Sequence, residues 1–260
     1  MIIRFYKYEG TGNDFVIIDN ITNGYDLSGL NRELIERICD RRFGVGADGL
    51  MIMEASEEYD FEMIYFNSDG NKSTMCGNGG RCIVHLAHSL GHCDTDANFI
   101  AVDGPHRGKV GEQVSVQLKD VLSVHKTDSD YVLDTGSPHY VSFRNNISEL
   151  PIIAEARKIR YSDTYSREGI NVNFVEKQDG YIRLRTYERG VEDETLSCGT
   201  GVTASAIAAT LEYNMEDDIV HIEAEGGKLT VKFVKEGSGF RDVWLTGPVN
   251  CVYKGEIELG

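Results

Sequence analysis

Short runs in which apolar and polar residues alternate recur along the whole chain, which is the pattern of half-buried β-strands. Ile2–Tyr8, Phe15–Asp19, Leu50–Glu54, Phe61–Phe66, Val114–Leu118 and Tyr131–Asp134 read this way. In the second half Val172–Glu176, Tyr181–Tyr187, Val220–Glu225, Lys228–Val234 and Val243–Leu245 do so. Asp179-Gly180 and Gly226-Gly227 each divide two such runs and predict hairpins. Four segments carry the helical period instead. They are a stretch capped by Ser28 and running to Arg42, Gly77–Leu90 stopped by Gly91, Ile152–Lys158 after Pro151, and Gly199–Tyr213.

The second and fourth helices organise the rest. One opens Cys76-Gly77-Asn78-Gly79 and the other Cys198-Gly199-Thr200-Gly201, about half the chain apart. Both are apolar on more than one side, as a helix wrapped by strands must be. The expectation is an α+β fold of two pseudo-symmetric domains, each a sheet or barrel-like set of strands around one central helix.

Composition narrows the function. The 260 residues carry a net charge of −16, which repels the phosphates of nucleic acid and of anionic lipid, so neither is an expected partner. No segment approaches the roughly 20 apolar residues that span a bilayer. Met1–Asp14 lacks the apolar core of a signal peptide, so a cytoplasmic protein is expected, with its six cysteines as free thiols.

A Cys-Gly-x-Gly helix start has a chemical use. The first N–H groups of a helix lack internal partners, the helix dipole is positive there, and glycines admit a ligand to the backbone. Such an end binds a carboxylate and draws a thiol toward its thiolate. Two such starts facing one amino acid would hold its carboxylate between them and set a sulfur on each side of the α-carbon. One thiolate removes the proton, the opposite thiol returns one, and the N–H groups stabilise the charge that develops. No pyridoxal, metal or other cofactor is required. Cys39, Cys82, Cys93 and Cys251 lack this context and are assigned no chemical role.

Several longer stretches carry a resemblance. They are Gly10-Thr11-Gly12-Asn13-Asp14-Phe15, Phe66-Asn67-Ser68-Asp69-Gly70, Met75-Cys76-Gly77-Asn78-Gly79-Gly80-Arg81-Cys82, Tyr187-Glu188-Arg189-Gly190 and Ser197-Cys198-Gly199-Thr200-Gly201. In order and spacing the whole chain resembles the diaminopimelate epimerases, enzymes that interconvert LL- and meso-diaminopimelate on the route to lysine and peptidoglycan. The resemblance implies catalysis by Cys76 and Cys198. It implies substrate binding by Asn13, Asn67, Gly77, Asn78, Asn171, Glu188, Arg189, Gly199 and Thr200. His139 and Glu188 are implied to tune the thiols. Arg189 suits a distal carboxylate and Glu188 an ammonium. Many members have Asn before the Pro-His pair where this chain has Ser137, whose role in binding the distal end is correspondingly open. The resemblance also implies a homodimer, and a last segment, Val249–Gly260, that returns to the first domain. The halves are then 1–118 with 249–260, and 119–248.

Other readings compete. Taken alone, Asn13, Asn67 and Asn171 suit turns, Glu188-Arg189 surface charge, and His139 a structural role. Gly44-Val45-Gly46-Ala47-Asp48-Gly49 matches a dinucleotide fingerprint, but it follows a helix and leads into a strand, the reverse of the required order, and reads as a turn. Cys82, His85, His88, His92 and Cys93 raise a metal-binding protein as an alternative, although they sit on a single helix and its end. A proline racemase-like enzyme shares the two-cysteine chemistry. The Asn-Asp-Phe and Tyr-Glu-Arg-Gly stretches favour diaminopimelate.

Overall fold

The computed structural model of the chain describes residues 1–127 and 129–258. Of the expected closing segment Val249–Gly260, Leu259 and Gly260 lie outside the described residues. The chain forms two compact units, Met1–Val116 with Pro248–Gly260, and Gln117–Gly247. Among the described residues no helix is long and apolar enough to cross a membrane.

The first unit contains β1 (Ile2–Gly10), β2 (Asn13–Asp19), the single-turn helix α1 (Asn20–Asn23), α2 (Arg32–Cys39), β3 (Gly49–Glu54), β4 (Phe61–Asn67), β5 (Lys72–Ser73), α3 (Gly77–Leu90), β6 (Asp96–Ala101), β7 (Gly104–Val110) and β8 (Val114–Gln117). The second contains β9 (Val124–Lys126), β10 (Asp130–Asp134), β11 (Pro138–Phe143), α4 (Ile152–Arg160), β12 (Asn171–Lys177), β13 (Ile182–Glu188), β14 (Asp193–Thr195), α5 (Gly199–Glu212), β15 (Ile219–Ala224), β16 (Gly227–Glu236) and β17 (Gly239–Gly247). The last strand, β18 (Asn250–Glu258), pairs antiparallel with β1.

The pairings repeat strand for strand. In the first unit β18, β1 and β2 run antiparallel, β2 and β3 parallel, β3 and β4 antiparallel, β4 and β6 parallel, and β6, β7 and β8 antiparallel. In the second the same sequence of relations joins β9, β10, β11, β12, β13, β15, β16 and β17. The short strands β5 and β14 pair with β4 and β13 respectively. Helices α2 and α3 fill the two parallel crossovers of the first unit and α4 and α5 those of the second, as a parallel connection requires a long excursion. The pseudo-symmetry expected from two short motifs thus extends through each half.

Helix α3 is buried from Gly77 to Val84 and again at Leu86 and Ala87, and α5 is buried at nearly every position from Gly199 to Thr210. Helices wrapped on all sides need small residues where a strand crosses closely. At Gly108 of β7, an added Cβ would lie 2.6 Å from Cγ2 of Val84 on α3.

Two expectations need correcting. Helix α2 is capped by Asn31, whose Oδ1 accepts the N–H of Leu34 at 3.0 Å, while Ser28 lies in a separate 3₁₀ turn capped by Asp26. The helix stops at Cys39 because Asp40 Oδ1 accepts the N–H groups of both Arg42 and Phe43 at 2.7 Å and folds the chain into a turn. Strands β6, β7 and β11 escape an apolar-alternation reading because small or polar residues occupy their buried positions: Ala97 and Ala101 in β6, His106 and Gly108 in β7, His139 in β11.

Because Gly108 abuts Val84, Gly108→Ala forces the helix or the strand to shift. A loss of about 1–3 kcal/mol is expected, as for other overpacked cores, measured as a lower urea midpoint with unchanged slope.

Candidate active site

In the first unit Cys76 is the N-cap residue of α3, and its side chain makes no cap hydrogen bond. Its thiol faces Oδ1 of Asn13 at 3.7 Å, and Nδ2 of Asn78 lies 3.5 Å from the same oxygen. The orientation of Asn13 is set from behind. Its Nδ2 donates to Oδ2 of Asp48 at 2.6 Å. A carboxylate only accepts, so the NH₂ must face Asp48 and the carbonyl oxygen must face Cys76. Asp48 is held in turn by Arg41 at 2.8 Å. Arg41 and Lys7 both pair with Asp14, and although burial opposes it, their hydrogen bonds hold the Asp14 carboxyl below the usual carboxylate range. Lys7 also donates to the carbonyl of Gly46. The glycine-rich stretch rejected as a nucleotide loop is therefore a turn from α2 into β3 that braces Asn13.

Asn67 ends β4 in register with Gly49, which is itself in register with Phe15, so it lies at the same strand ends as Asn13. It is exposed, and its backbone closes the turn to Asn71.

Arg81 was not anticipated. It is fully buried, and its guanidinium reaches back along α3 to Gly77 O (3.3 Å), Asn78 Oδ1 (3.1 Å) and Thr11 Oγ1 (3.2 Å), with Nε left unpartnered. It ties the β1–β2 turn to the helix start with a positive charge beneath Cys76. A charged residue inside the apolar pattern of α3 was the signal available in the sequence.

In the second unit Cys198 is the N-cap of α5, again with no cap hydrogen bond from its side chain. Its Sγ lies 3.4 Å from Oγ1 of Thr200, and that hydroxyl lies 2.9 Å from Nε2 of His139. His139 is fully buried; burial, helped by the positive charge of Arg189, pushes its pKa down to about 3. The imidazole is therefore neutral in the neutral pH range. Nδ1 of His139 faces Nδ2 of Asn173 at 3.1 Å.

Asn171, in register with His139 across β11 and β12, donates to Ser137 Oγ (2.8 Å) and Pro138 O (3.1 Å) and accepts the Arg189 N–H (2.8 Å). It therefore joins the Ser137-Pro138 start of β11 to the loop that carries Glu188 and Arg189. One lone pair of its oxygen remains for a ligand. Ser137 spends its hydroxyl oxygen as the acceptor for Asn171.

Glu188 is half-buried at the end of β13, and Arg189 is exposed, with Nη1 donating to Glu168 O at 3.0 Å. Their loop is shaped by Glu192, a second residue not anticipated. Its carboxylate accepts from Gly190 N (3.2 Å), Arg160 (2.9 Å), Tyr161 (3.0 Å) and Tyr187 (3.1 Å). These donors outweigh burial and keep the carboxyl below its usual range.

Burial pushes Cys39 and Cys93 up to about 11 and Cys82 higher still, which makes them poor nucleophiles at neutral pH. The Cys/His cluster does not converge. His85 pairs with Tyr8, His88 with the carbonyl of Cys93, and His92 with Asp19. Among the described residues no group of three or more His, Cys, Asp or Glu side chains is placed to hold a metal ion.

The buried imidazole makes a prediction. An unfolded histidine takes a proton below about pH 6.5, whereas folded His139 does so only near about 3. The unfolded state therefore binds more protons in this window, and stability falls as pH drops from 6.5 toward 3. Urea unfolding should show the stability advantage of the unsubstituted protein over His139→Gln shrinking by about 1 kcal/mol between pH 7 and pH 5.5. A pH-independent difference would contradict a neutral buried imidazole.

Comparison with known proteins bears on the family and the fold. The sequence profile described as "Diaminopimelate epimerase" matches residues 5–110 and 131–252. A diaminopimelate epimerase from Flavobacterium psychrophilum is 47% identical over 98% of this chain and 100% of its own length. One from Chlorobaculum tepidum is 38% identical over 96% of this chain and 99% of its own. Among solved structures, a phenazine biosynthesis protein of the PhzF family from Bacillus anthracis superposes with a TM-score of 0.75 at 13% identity over the full length of both chains. A hydroxyproline epimerase from Agrobacterium vitis does so with 0.70 at 15% identity over 99% of this chain and 93% of its own. At such identities the structures speak for the fold alone, but the sequence matches span both units and both cysteine motifs, and the chain belongs to the diaminopimelate epimerase family.

Proposed function

We propose that the protein interconverts LL- and meso-diaminopimelate by a two-base mechanism in which Cys76 and Cys198 serve opposite faces of the α-carbon. The observation that carries this reading is the repeated device itself. Each unit starts its buried helix with a cysteine at the N-cap, and each surrounds that thiol with a separately braced polar set.

Inversion needs one group to remove the α-proton and another to deliver one to the opposite face. A thiolate does the first and a thiol the second, and the roles exchange in the reverse reaction. The α-carboxylate is the natural ligand for the first-turn N–H groups of Gly77-Asn78 and Gly199-Thr200, where the helix dipoles are positive. Charge that moves onto that carboxylate as the proton leaves is met by donors already in place. The reaction calls on no cofactor.

The remaining polar groups suit a substrate with two amino-acid ends. Arg189 matches the distal carboxylate, Glu188 an ammonium, Asn67 offers both donors and acceptors, and Asn13 and Asn171 present amide oxygens that accept. Ser137 completes the distal set. Arg81, through the positive charge beneath Cys76, and His139, through Thr200, bear on the acidity of the two thiols. The two compact units are the two catalytic halves. The enzyme works in the cytoplasm as a homodimer, supplying precursors of lysine and peptidoglycan.

The test is proton NMR of LL-diaminopimelate in D₂O with reduced protein, with L-proline in a parallel tube. Loss of the α-proton signal and appearance of the meso isomer, with proline unchanged, is expected. Exchange in proline alone would overturn the substrate, and exchange in neither would overturn the reaction. Activity should survive exhaustive chelation. Cys76→Ala and Cys198→Ala should each abolish inversion, and full activity in either would exclude two-base chemistry. Glu192→Ala loosens the loop that carries Arg189 and should raise KM for diaminopimelate about tenfold, a loss of about 1.4 kcal/mol in binding.

A further inference from the structure

Asn173 is a buried polar residue that the active-site chemistry leaves unused. Asn173 lies on the same face of β12 as Asn171, two positions on, and is fully buried. Its side chain is engaged at both ends. Nδ2 lies 3.1 Å from the carbonyl oxygen of Tyr140 and 3.1 Å from Nδ1 of His139, and Oδ1 accepts from Thr186 Oγ1 at 3.0 Å. Gly201, in the first turn of α5, makes room for it: a Cβ there would lie 2.6 Å from Asn173 Oδ1 and 3.3 Å from Cε1 of His139.

The directions of these hydrogen bonds follow by elimination. A backbone carbonyl only accepts, so the end of Asn173 that faces Tyr140 is its NH₂. An NH₂ only donates, so Nδ1 of His139, which faces the same nitrogen, must offer its lone pair. A neutral imidazole has one N–H, which is then on Nε2. Nε2 faces Oγ1 of Thr200 at 2.9 Å, so the hydroxyl oxygen accepts. Among the described residues the other hydrogen-bond partner of that hydroxyl is Sγ of Cys198 at 3.4 Å, and the hydroxyl hydrogen is left to point at the sulfur.

We propose that Asn173 is a positioning residue: it sets His139 in the Nε2–H tautomer and thereby turns the Thr200 hydroxyl into a hydrogen-bond donor to Cys198. The importance of this for turnover rests on the two-thiol reading above, but the directions themselves belong to the resting protein. A donor at the sulfur stabilises the thiolate and disfavours the thiol. With the opposite tautomer, Nε2 would accept from Thr200, the hydroxyl hydrogen would turn away, and Cys198 would be driven to donate its own proton. The charged side chain that acts on the imidazole is Arg189, which reinforces the neutral form. The first unit shows the contrary arrangement, since Asp48 turns a carbonyl oxygen of Asn13, an acceptor, toward Cys76. The two thiols are thus offered hydrogen bonds of opposite sense.

Long-range ¹H–¹⁵N NMR of substrate-free protein with ¹⁵N-labelled histidine reads the tautomer directly, with His139 assigned by its absence in His139→Gln. At neutral pH a protonated Nε2 and an unprotonated Nδ1 are expected, and a proton on Nδ1 overturns the proposal without any variant having to fold. Asn173→Asp keeps the shape but replaces the donor by an acceptor, and should place a proton on Nδ1; an unprotonated Nδ1 in that variant shows that Asn173 does not set the tautomer. Thr200→Val removes the relaying hydroxyl and should slow iodoacetamide alkylation of Cys198 about three- to tenfold at pH 7, followed by peptide mass spectrometry. An unchanged rate overturns the transmission to the sulfur. Neither readout involves diaminopimelate, so a failure of the epimerase reading leaves both tests intact.

Discussion

A helix that begins inside a sheet-wrapped unit brings its first N–H groups into a place where they have no carbonyl of their own and little water. Everything distinctive about this protein follows from how α3 and α5 meet that constraint. Neither is capped by the usual Ser, Thr, Asp or Asn side chain. Both place a cysteine at the N-cap and glycines in the first turn, so the donors stay available and the backbone stays approachable. Such an end lacks a cap contribution of about 0.5–2 kcal/mol that a conventional N-cap would bring. In general a helix end of this kind favours a carboxylate placed beside it and the ionised form of a thiol.

The two halves share strand order, parallel crossovers and helix starts, yet they support their thiols with different chemistry. The first uses charge: the buried guanidinium of Arg81, and behind Asn13 the ionic set of Lys7, Asp14, Arg41 and Asp48. The second uses neutral groups: His139, Asn173, Thr186 and Thr200, linked without a formal charge within the chain. Matching strand order thus does not carry with it matching chemistry around the two cysteines. Buried polar chains of this kind rigidify only when every member is satisfied. Asn173 approaches that limit, and Asn171 retains one oxygen lone pair.

Much of this was legible in the sequence because it is local. Alternation located the long strands, glycine pairs located two hairpins, and the Cys-Gly-x-Gly starts announced both central helices. Each signal depends on residues a few positions apart on one element, where side-chain direction is dictated by the period of the backbone. Strands β6, β7 and β11 went unread because small or polar residues fill several of their buried positions. β7 is held by Gly108 against Val84 and by His106 stacked on Phe99, and neither residue advertises burial.

The supporting residues of the site were beyond the sequence for a different reason. Asp48 lies in a stretch that reads as a decoy turn, Asn173 follows Asn171 in plain alternation, and Glu192 and Arg81 look like ordinary charges. Their roles arise from partners 35, 34, 32 and 70 positions away: Asn13, His139, Arg160 and Thr11. The sequence by itself determined the fold class, the family and the two cysteines that begin the central helices, because helix starts and strand periods are written in neighbouring residues. Only the tertiary structure decided which way each amide, hydroxyl and imidazole points, because a hydrogen bond's direction is settled by the acceptor or donor that folding brings to its far side.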